Sequence, residues 1–166
     1  VGTAGYSYAD WIGPFYPQGT KSKDMLTYYS LFFRFVEINS TFYHMPSLKL
    51  FEGVNKKTPD DFKFSVKLFK GFTHEREIDR AEADKFKYAL MPVIESGKLF
   101  CLLVQFPYSF HRTPENVDYI KSIKDYFGDI ELCIEFRNRE WVCRDTYSML
   151  RHEGMGYVCV DEPALR

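Results

Sequence analysis

Two stretches of the chain set a carboxylate two residues from a second polar group: Glu37 with Asn39, and Glu135 with Arg137. Residues two apart in a strand share a face, so each pair presents its polar groups together. Val36, Ile38, Ile134 and Phe136, which flank them, turn to the opposite side, towards a helix layer. Carboxylates so placed suit general acid or base chemistry, because a carboxyl buried beside another has its proton affinity lifted towards neutrality. On this reading Glu37 and Glu135 are the catalytic pair. Lys67 and Arg137 hold an anion, the guanidinium in two-point fashion and the ammonium as a point charge. Asn39 and Gln105 orient the substrate through hydrogen bonds. The competing reading is structural, with ion pairs such as Glu37–Lys67 or Glu135–Arg137 bracing a barrel interior.

His74 lies in the loop after the third predicted strand, where it serves either a substrate or the local turn. The other histidines, His44, His111 and His152, show no HxH or HExxH spacing. A divalent metal would have to draw on Glu37, His74, Glu135 and Asp161, whose separation in sequence leaves no local motif. An aromatic cluster lies mostly in the loops after predicted strands one, two and five: Tyr6, Tyr8, Trp11, Phe15, Tyr16, Phe42, Tyr43 and Trp141. Trp11 and Phe15 suit a small plug of packed rings. Tyr6, Tyr43 and Trp141 suit a wall on which a base or sugar ring could stack. Charge runs such as Glu75-Arg76-Glu77 are solvated helix faces.

Six segments rich in Val, Ile, Phe and Cys read as the strands that must position these groups: Val1–Tyr6, Phe35–Phe42, Phe62–Leu68, Leu99–Phe106, Ile130–Phe136 and Gly156–Val160. Helices are predicted at Lys23–Phe33, Leu48–Lys57, Ile78–Ser96, Thr113–Phe127 and Arg144–His152. This alternation argues for a parallel α/β sheet. The strands end repeatedly in polar residues, namely Glu37 and Asn39, Lys67, Gln105, Glu135 and Arg137, and Asp161. That habit belongs to TIM-type (β/α) barrels, which collect functional groups at the carboxyl ends of their strands. No GxGxxG or GxxxxGK[ST] turn of a nucleotide-binding open sheet is present. The expectation is a single domain over 1–166, the first six βα units of eight, with a continuation after Arg166.

The chain has 166 residues, 45% of them hydrophobic and 18% aromatic, which is enough to bury a core. A formal charge of −1 gives no general basic field, although a local basic groove stays open. Cys101, Cys133, Cys143 and Cys159 form no CxxC, and three lie in apolar runs as small hydrophobes. A reduced, cytoplasmic setting fits. No apolar run approaches the roughly 18 residues needed to span a bilayer, so no membrane association is expected.

The motifs Gly2-Thr3-Ala4-Gly5-Tyr6-Ser7-Tyr8 with Trp11, Gly13 and Phe15-Tyr16-Pro17 precede Val36-Glu37-Ile38-Asn39-Ser40-Thr41-Phe42-Tyr43 with Pro46. Phe62-Lys63-Phe64-Ser65-Val66-Lys67, Thr73-His74, Gln105-Phe106-Pro107, Glu135-Phe136-Arg137 with Trp141, and Asp161 follow in order. Over its whole length the chain resembles the YecE-like family, domain of unknown function seventy-two. The resemblance implies a TIM barrel with no established reaction and a further C-terminal portion. Its likeness to endonuclease IV and xylose-isomerase barrels is fold analogy alone.

Two functional classes fit the residues. One is an enzyme, a hydrolase or isomerase, acting on an anionic or phosphorylated substrate such as a sugar phosphate or a nucleic acid, by acid–base catalysis from Glu37 and Glu135. The other is a non-catalytic module that binds single-stranded nucleic acid or a protein through its aromatic loops.

Overall fold

The computed structural model of the protein describes residues 1–161. Its six strands are β1 (Thr3–Ala4), β2 (Phe35–Ile38), β3 (Lys63–Lys67), β4 (Leu99–Phe106), β5 (Leu132–Phe136) and β6 (Gly156–Val158). They make one sheet in the order β1-β2-β3-β4-β5-β6, with β1 and β6 at its edges. The pairings β1–β2, β2–β3, β4–β5 and β5–β6 are all parallel. The α-helices between them are α1 (Ser22–Tyr29), α2 (Ser40–Tyr43), α3 (Leu48–Lys56), α4 (Arg80–Glu95), α5 (Pro114–Phe127) and α6 (Arg144–His152). The expected strand–helix alternation is therefore present. Among the described residues no helix is long and apolar enough to cross a membrane.

All strands but β4 are shorter than their composition suggests, β1 and β2 the most. Gly5, at φ 86°, ends β1 in a conformation that side chains disfavour. β2 stops at Ile38, and Ser40–Phe42, expected as strand, fall in α2 (Ser40–Tyr43) instead. The hydroxyl of Thr41 donates to the carbonyl of Lys67 at 2.6 Å and to that of Ile38 at 3.2 Å, tying this turn to the end of β3. Such local side-chain bonds offer the backbone an alternative to the ladder.

Two compact units are distinguished. The first comprises Val1–Lys67 and Lys85–Phe100. Its core includes Leu26, Tyr29, Val36, Phe51, Phe64 and Leu90, each no more than 1% exposed. The hydroxyl of Tyr29 accepts from the Thr3 amide and donates to the Phe35 carbonyl, both at 3.0 Å, so α1 holds β1 and β2 in place. Lys98 is 3% exposed, and its ammonium donates to the carbonyls of Asn55 and Thr58, both at 2.9 Å, closing the C-terminal end of α3. A buried ammonium is tolerable only when hydrogen-bonded in this way.

The second unit comprises Leu68–Asp84 and the chain from Cys101 onwards. Pro114 opens α5, and the Thr113 hydroxyl caps it by accepting from the Asn116 amide at 3.3 Å. Phe106, Phe110, Trp141 and Phe136 form a near-parallel pile of rings. Successive centroids lie 3.9, 5.3 and 4.5 Å apart, with planes within 9° of each other. The pile packs the back of the strand ends whose other face carries Gln105, Glu135 and Arg137.

Candidate functional site

In the second unit, β4 and β5 set Gln105 opposite Glu135 and Phe106 opposite Phe136. Alternation therefore puts Gln105, Glu135 and Arg137 on one face and the rings on the other. Glu135 is 8% exposed, and its Oε1 lies 2.7 Å from Nη2 of Arg137. The geometry is that of a charge contact rather than a directed hydrogen bond. The expected pairing of polar groups two residues apart is thus present, and so is the ion pair on which the structural reading rests.

Two loops beyond these strand ends brace them. Asn138, 4% exposed, donates through Nδ2 to the Tyr108 carbonyl at 2.8 Å and accepts the Glu140 amide at 3.0 Å. Oε2 of Glu140 takes the Arg112 amide at 3.0 Å, and its Oε1 meets His111 Nδ1 at 3.1 Å. The Arg112 amide, followed by the His111 bond, holds the Glu140 carboxyl below its ordinary range. The indole of Trp141 donates to the Phe110 carbonyl at 2.6 Å. Trp141 is fully buried, its ring stacked on Phe110 and Phe136. This corrects its expected place on an open stacking wall: the ring belongs to the core.

His74 lies in the second unit within a π-helical turn, Gly71–Glu75, where its Nδ1 is 2.9 Å from the Thr73 hydroxyl. Turns of this kind are rare and often mark functional positions. Arg76 closes the turn in the left-handed region at φ 59°, and the Tyr119 hydroxyl donates to the Phe72 carbonyl at 2.8 Å. Burial pushes the Tyr119 phenol up to about 12. Asp161 is exposed beyond β6. A hollow of about 340 Å³ lined by Tyr147, Leu150, Arg151, Met155 and Tyr157 contains none of the candidate residues.

In the first unit the ends of β2 and β3 carry the remaining candidates. Glu37 pairs in register with Ala4 and Ser65 and is half-buried. Asn39 Oδ1 is buried and has no hydrogen-bond partner among the described residues. Lys67 places its ammonium 4.8 Å from the centre of the Phe42 ring. Tyr43, edge-on to Phe42 at 5.1 Å, is 62% exposed and remains open to stacking. Tyr6 is half-buried, 6.4 Å from Tyr29, and burial raises its phenol. Trp11 and Phe15 pack against each other, as expected, and both against Tyr16; the Trp11–Phe15, Trp11–Tyr16 and Phe15–Tyr16 centroids lie 5.8, 6.2 and 4.8 Å apart.

Among the described residues no three His, Cys, Asp or Glu side chains are grouped to hold a metal ion.

A family model described as a protein of unknown function, DUF72, matches residues 1–166. The chain belongs to the DUF72 family. It is 37% identical over 175 residues to the UPF0759 protein YunF of Bacillus subtilis (strain 168), covering 99% of this chain and 61% of that protein. A DUF72 family protein of Thermotoga maritima MSB8 superposes with a TM-score of 0.87 at 37% identity, over 98% of this chain and 65% of that one. One from Enterococcus faecalis V583 gives 0.85 at 26% identity, over 98% and 61%. The chain thus spans less than two thirds of the length of these DUF72 relatives.

Sequence reasoning about this DUF72 chain missed Asn138, His111 and Glu140. The signal for Asn138 was available, since an Asn two residues before an acidic residue and a Trp is a turn-forming pattern. His111 meets Glu140 from 29 residues away, a pairing that no local spacing announces.

Proposed function

We propose that this DUF72 chain forms part of a cytoplasmic TIM-type barrel enzyme acting on an anionic, phosphorylated substrate, either a sugar phosphate or a nucleic-acid backbone. The observation that carries the reading is the carboxylate of Glu135, 8% exposed and 2.7 Å from the Arg137 guanidinium at the carboxyl end of β5. The Glu135 carboxylate is largely withdrawn from water, a cost that the partly exposed guanidinium beside it offsets only in part. An arriving phosphate competes for the guanidinium, which suits its planar fork. The Glu135 carboxylate so released is positioned as the acid–base group, with Gln105 beside it to orient the substrate. In the first unit, Glu37 is assigned as an acid–base carboxylate and Lys67 as an anion-holding cation. The unpartnered Oδ1 of Asn39 awaits a donor such as a substrate hydroxyl. Tyr6, His74 and Asp161 complete the proposed binding set. Cys101, Cys133, Cys143 and Cys159 form no disulfide, which suits a reducing compartment.

The test is turnover of a panel of phosphate esters and single-stranded nucleic acids by the intact protein and by Glu135→Gln. Loss of turnover with the fold retained supports the reading. Undiminished turnover in the variant rejects it.

A second reading rests on Tyr43, 62% exposed beside the Phe42–Lys67 contact. An aromatic platform next to a cation suits single-stranded nucleic acid bound without chemistry. Binding would weaken as salt rises and would be lost in Tyr43→Ala; affinity indifferent to salt would exclude it.

A further inference from the structure

Below the Glu135–Arg137 pair, on the same face of the second unit, lie two thiols. Leu103 pairs with Cys133, so Cys101 on β4 sits one strand over and two residues back from Cys133 on β5, facing the same way. Cys101 is 4% exposed and Cys133 half-buried, and neither is in a disulfide. The two thiols hydrogen-bond, and this contact is the main cause that holds the Cys133 thiol below its ordinary range. On the other side of Cys133, β6 offers Gly156, where a Cβ would stand 3.0 Å from the sulfur, so a side chain there would crowd the thiol.

The register decides what this pair can do. A strand spacing of about 4.8 Å and an offset of two residues at about 3.3 Å each place the two Cα atoms roughly 8 Å apart. That exceeds the limit of about 7 Å for a disulfide formed without backbone movement. A metal ion bridging two sulfurs at about 2.3 Å each spans up to about 4.6 Å between them, a reach the diagonal pair allows. Glu131 faces the same way and its charge acts against ionisation of the Cys133 thiol, but among the described residues no third His, Cys, Asp or Glu is grouped with the pair to hold a metal ion. Zinc, which takes four ligands, is therefore poorly served, whereas thiolate pairs select soft ions such as copper(I).

We propose that Cys101 and Cys133 form a two-coordinate thiolate site for a soft monovalent metal ion of the copper(I) class. Binding replaces two S–H bonds with two metal–sulfur bonds and releases two protons, with no change in oxidation state. The site stands independently of the acid–base chemistry assigned to Glu135.

The test is anaerobic titration of the reduced, intact protein with copper(I) delivered from a chromophoric chelator, on a Cys143→Ser/Cys159→Ser background that removes the two remote thiols. One equivalent is expected. Adding Cys101→Ser or Cys133→Ser should weaken its capture at least a hundredfold, and X-ray absorption should report two sulfur neighbours. Capture that is unchanged in either added variant overturns the proposal, as does zinc bound as tightly as copper. Should the serine variants not fold, differential alkylation of the unsubstituted protein decides. Bound copper must slow the alkylation of the half-buried Cys133 relative to the copper-free protein and leave the rates at Cys143 and Cys159 unchanged; a Cys133 rate that copper does not alter overturns the assignment. A Cys101–Cys133 disulfide formed readily under mild oxidant would also overturn it, because the strand register holds the two Cα atoms too far apart for that bond.

Discussion

Replacing Arg137 by Met leaves the Glu135 carboxylate, 8% exposed, without the cation held 2.7 Å away. Stripping one partner from a fully buried pair costs about 3–5 kcal/mol. Here the Arg137 side chain is 34% exposed and that of Glu135 is 10%, so water screens part of the loss, and we expect about 2 kcal/mol. With a urea dependence of about 2 kcal/mol per molar, the unfolding midpoint of Arg137→Met falls by about 1 M. Glu135→Gln removes the charge but keeps the shape and costs about 1 kcal/mol. The double variant should cost no more than Arg137→Met alone, because the stranded charge is gone. The coupling read from the cycle of four proteins is then about 1 kcal/mol. Additivity within about 0.5 kcal/mol would show that the two groups do not act on each other and would refute the reasoning. Stability and chemistry separate in the same proteins: a double variant that stays folded but is inactive assigns the charges to catalysis, whereas one that is destabilised yet active while folded makes them a strut.

Trp141→Ala should destabilise by about 3–5 kcal/mol, the cost of emptying a core indole site, with parallel loss of near-ultraviolet ellipticity; a cost below about 1 kcal/mol would return this ring to the surface role first expected of it. Lys98→Met strands the carbonyls of Asn55 and Thr58 and should cost about 2 kcal/mol in thermal or urea unfolding. The Tyr119 phenol, raised to about 12, contributes stability that is fully present below its unfolded value near 10 and is lost as pH rises through about 12. Spectrophotometric titration of Tyr119→Phe should therefore lack one late-ionising tyrosine, and the variant's alkaline unfolding should lose sensitivity within that window.

Much of the fold was legible because apolar runs and their spacing are local properties. β4 occupies the residues its composition predicts, Leu99–Phe106, and α6 likewise spans Arg144–His152. The end of β2 was not legible, because Asn39–Phe42 reads as strand until the Thr41 hydroxyl finds the Lys67 carbonyl 26 residues on. Alternation gave the faces of Glu135 and Arg137, since a two-residue period needs no tertiary information. Trp141 was misplaced for the opposite reason. An aromatic residue in a loop looks exposed, and only the stack of Phe106, Phe110 and Phe136 shows it to be core. The diagonal neighbourhood of Cys101 and Cys133 likewise depends on the register of two strands, which neither sequence segment specifies alone.

The ammonium of Lys98, shut beneath the end of α3, gives the first unit a built-in reporter. Amine-reactive reagents modify a lysine only as the free base and only when they can reach it. Against a background of surface lysines that react at once, Lys98 should acquire its label at the rate at which α3 parts from the start of β4. Mass-spectrometric timing of that single acylation would measure how often this part of the molecule opens under native conditions, with no denaturant present.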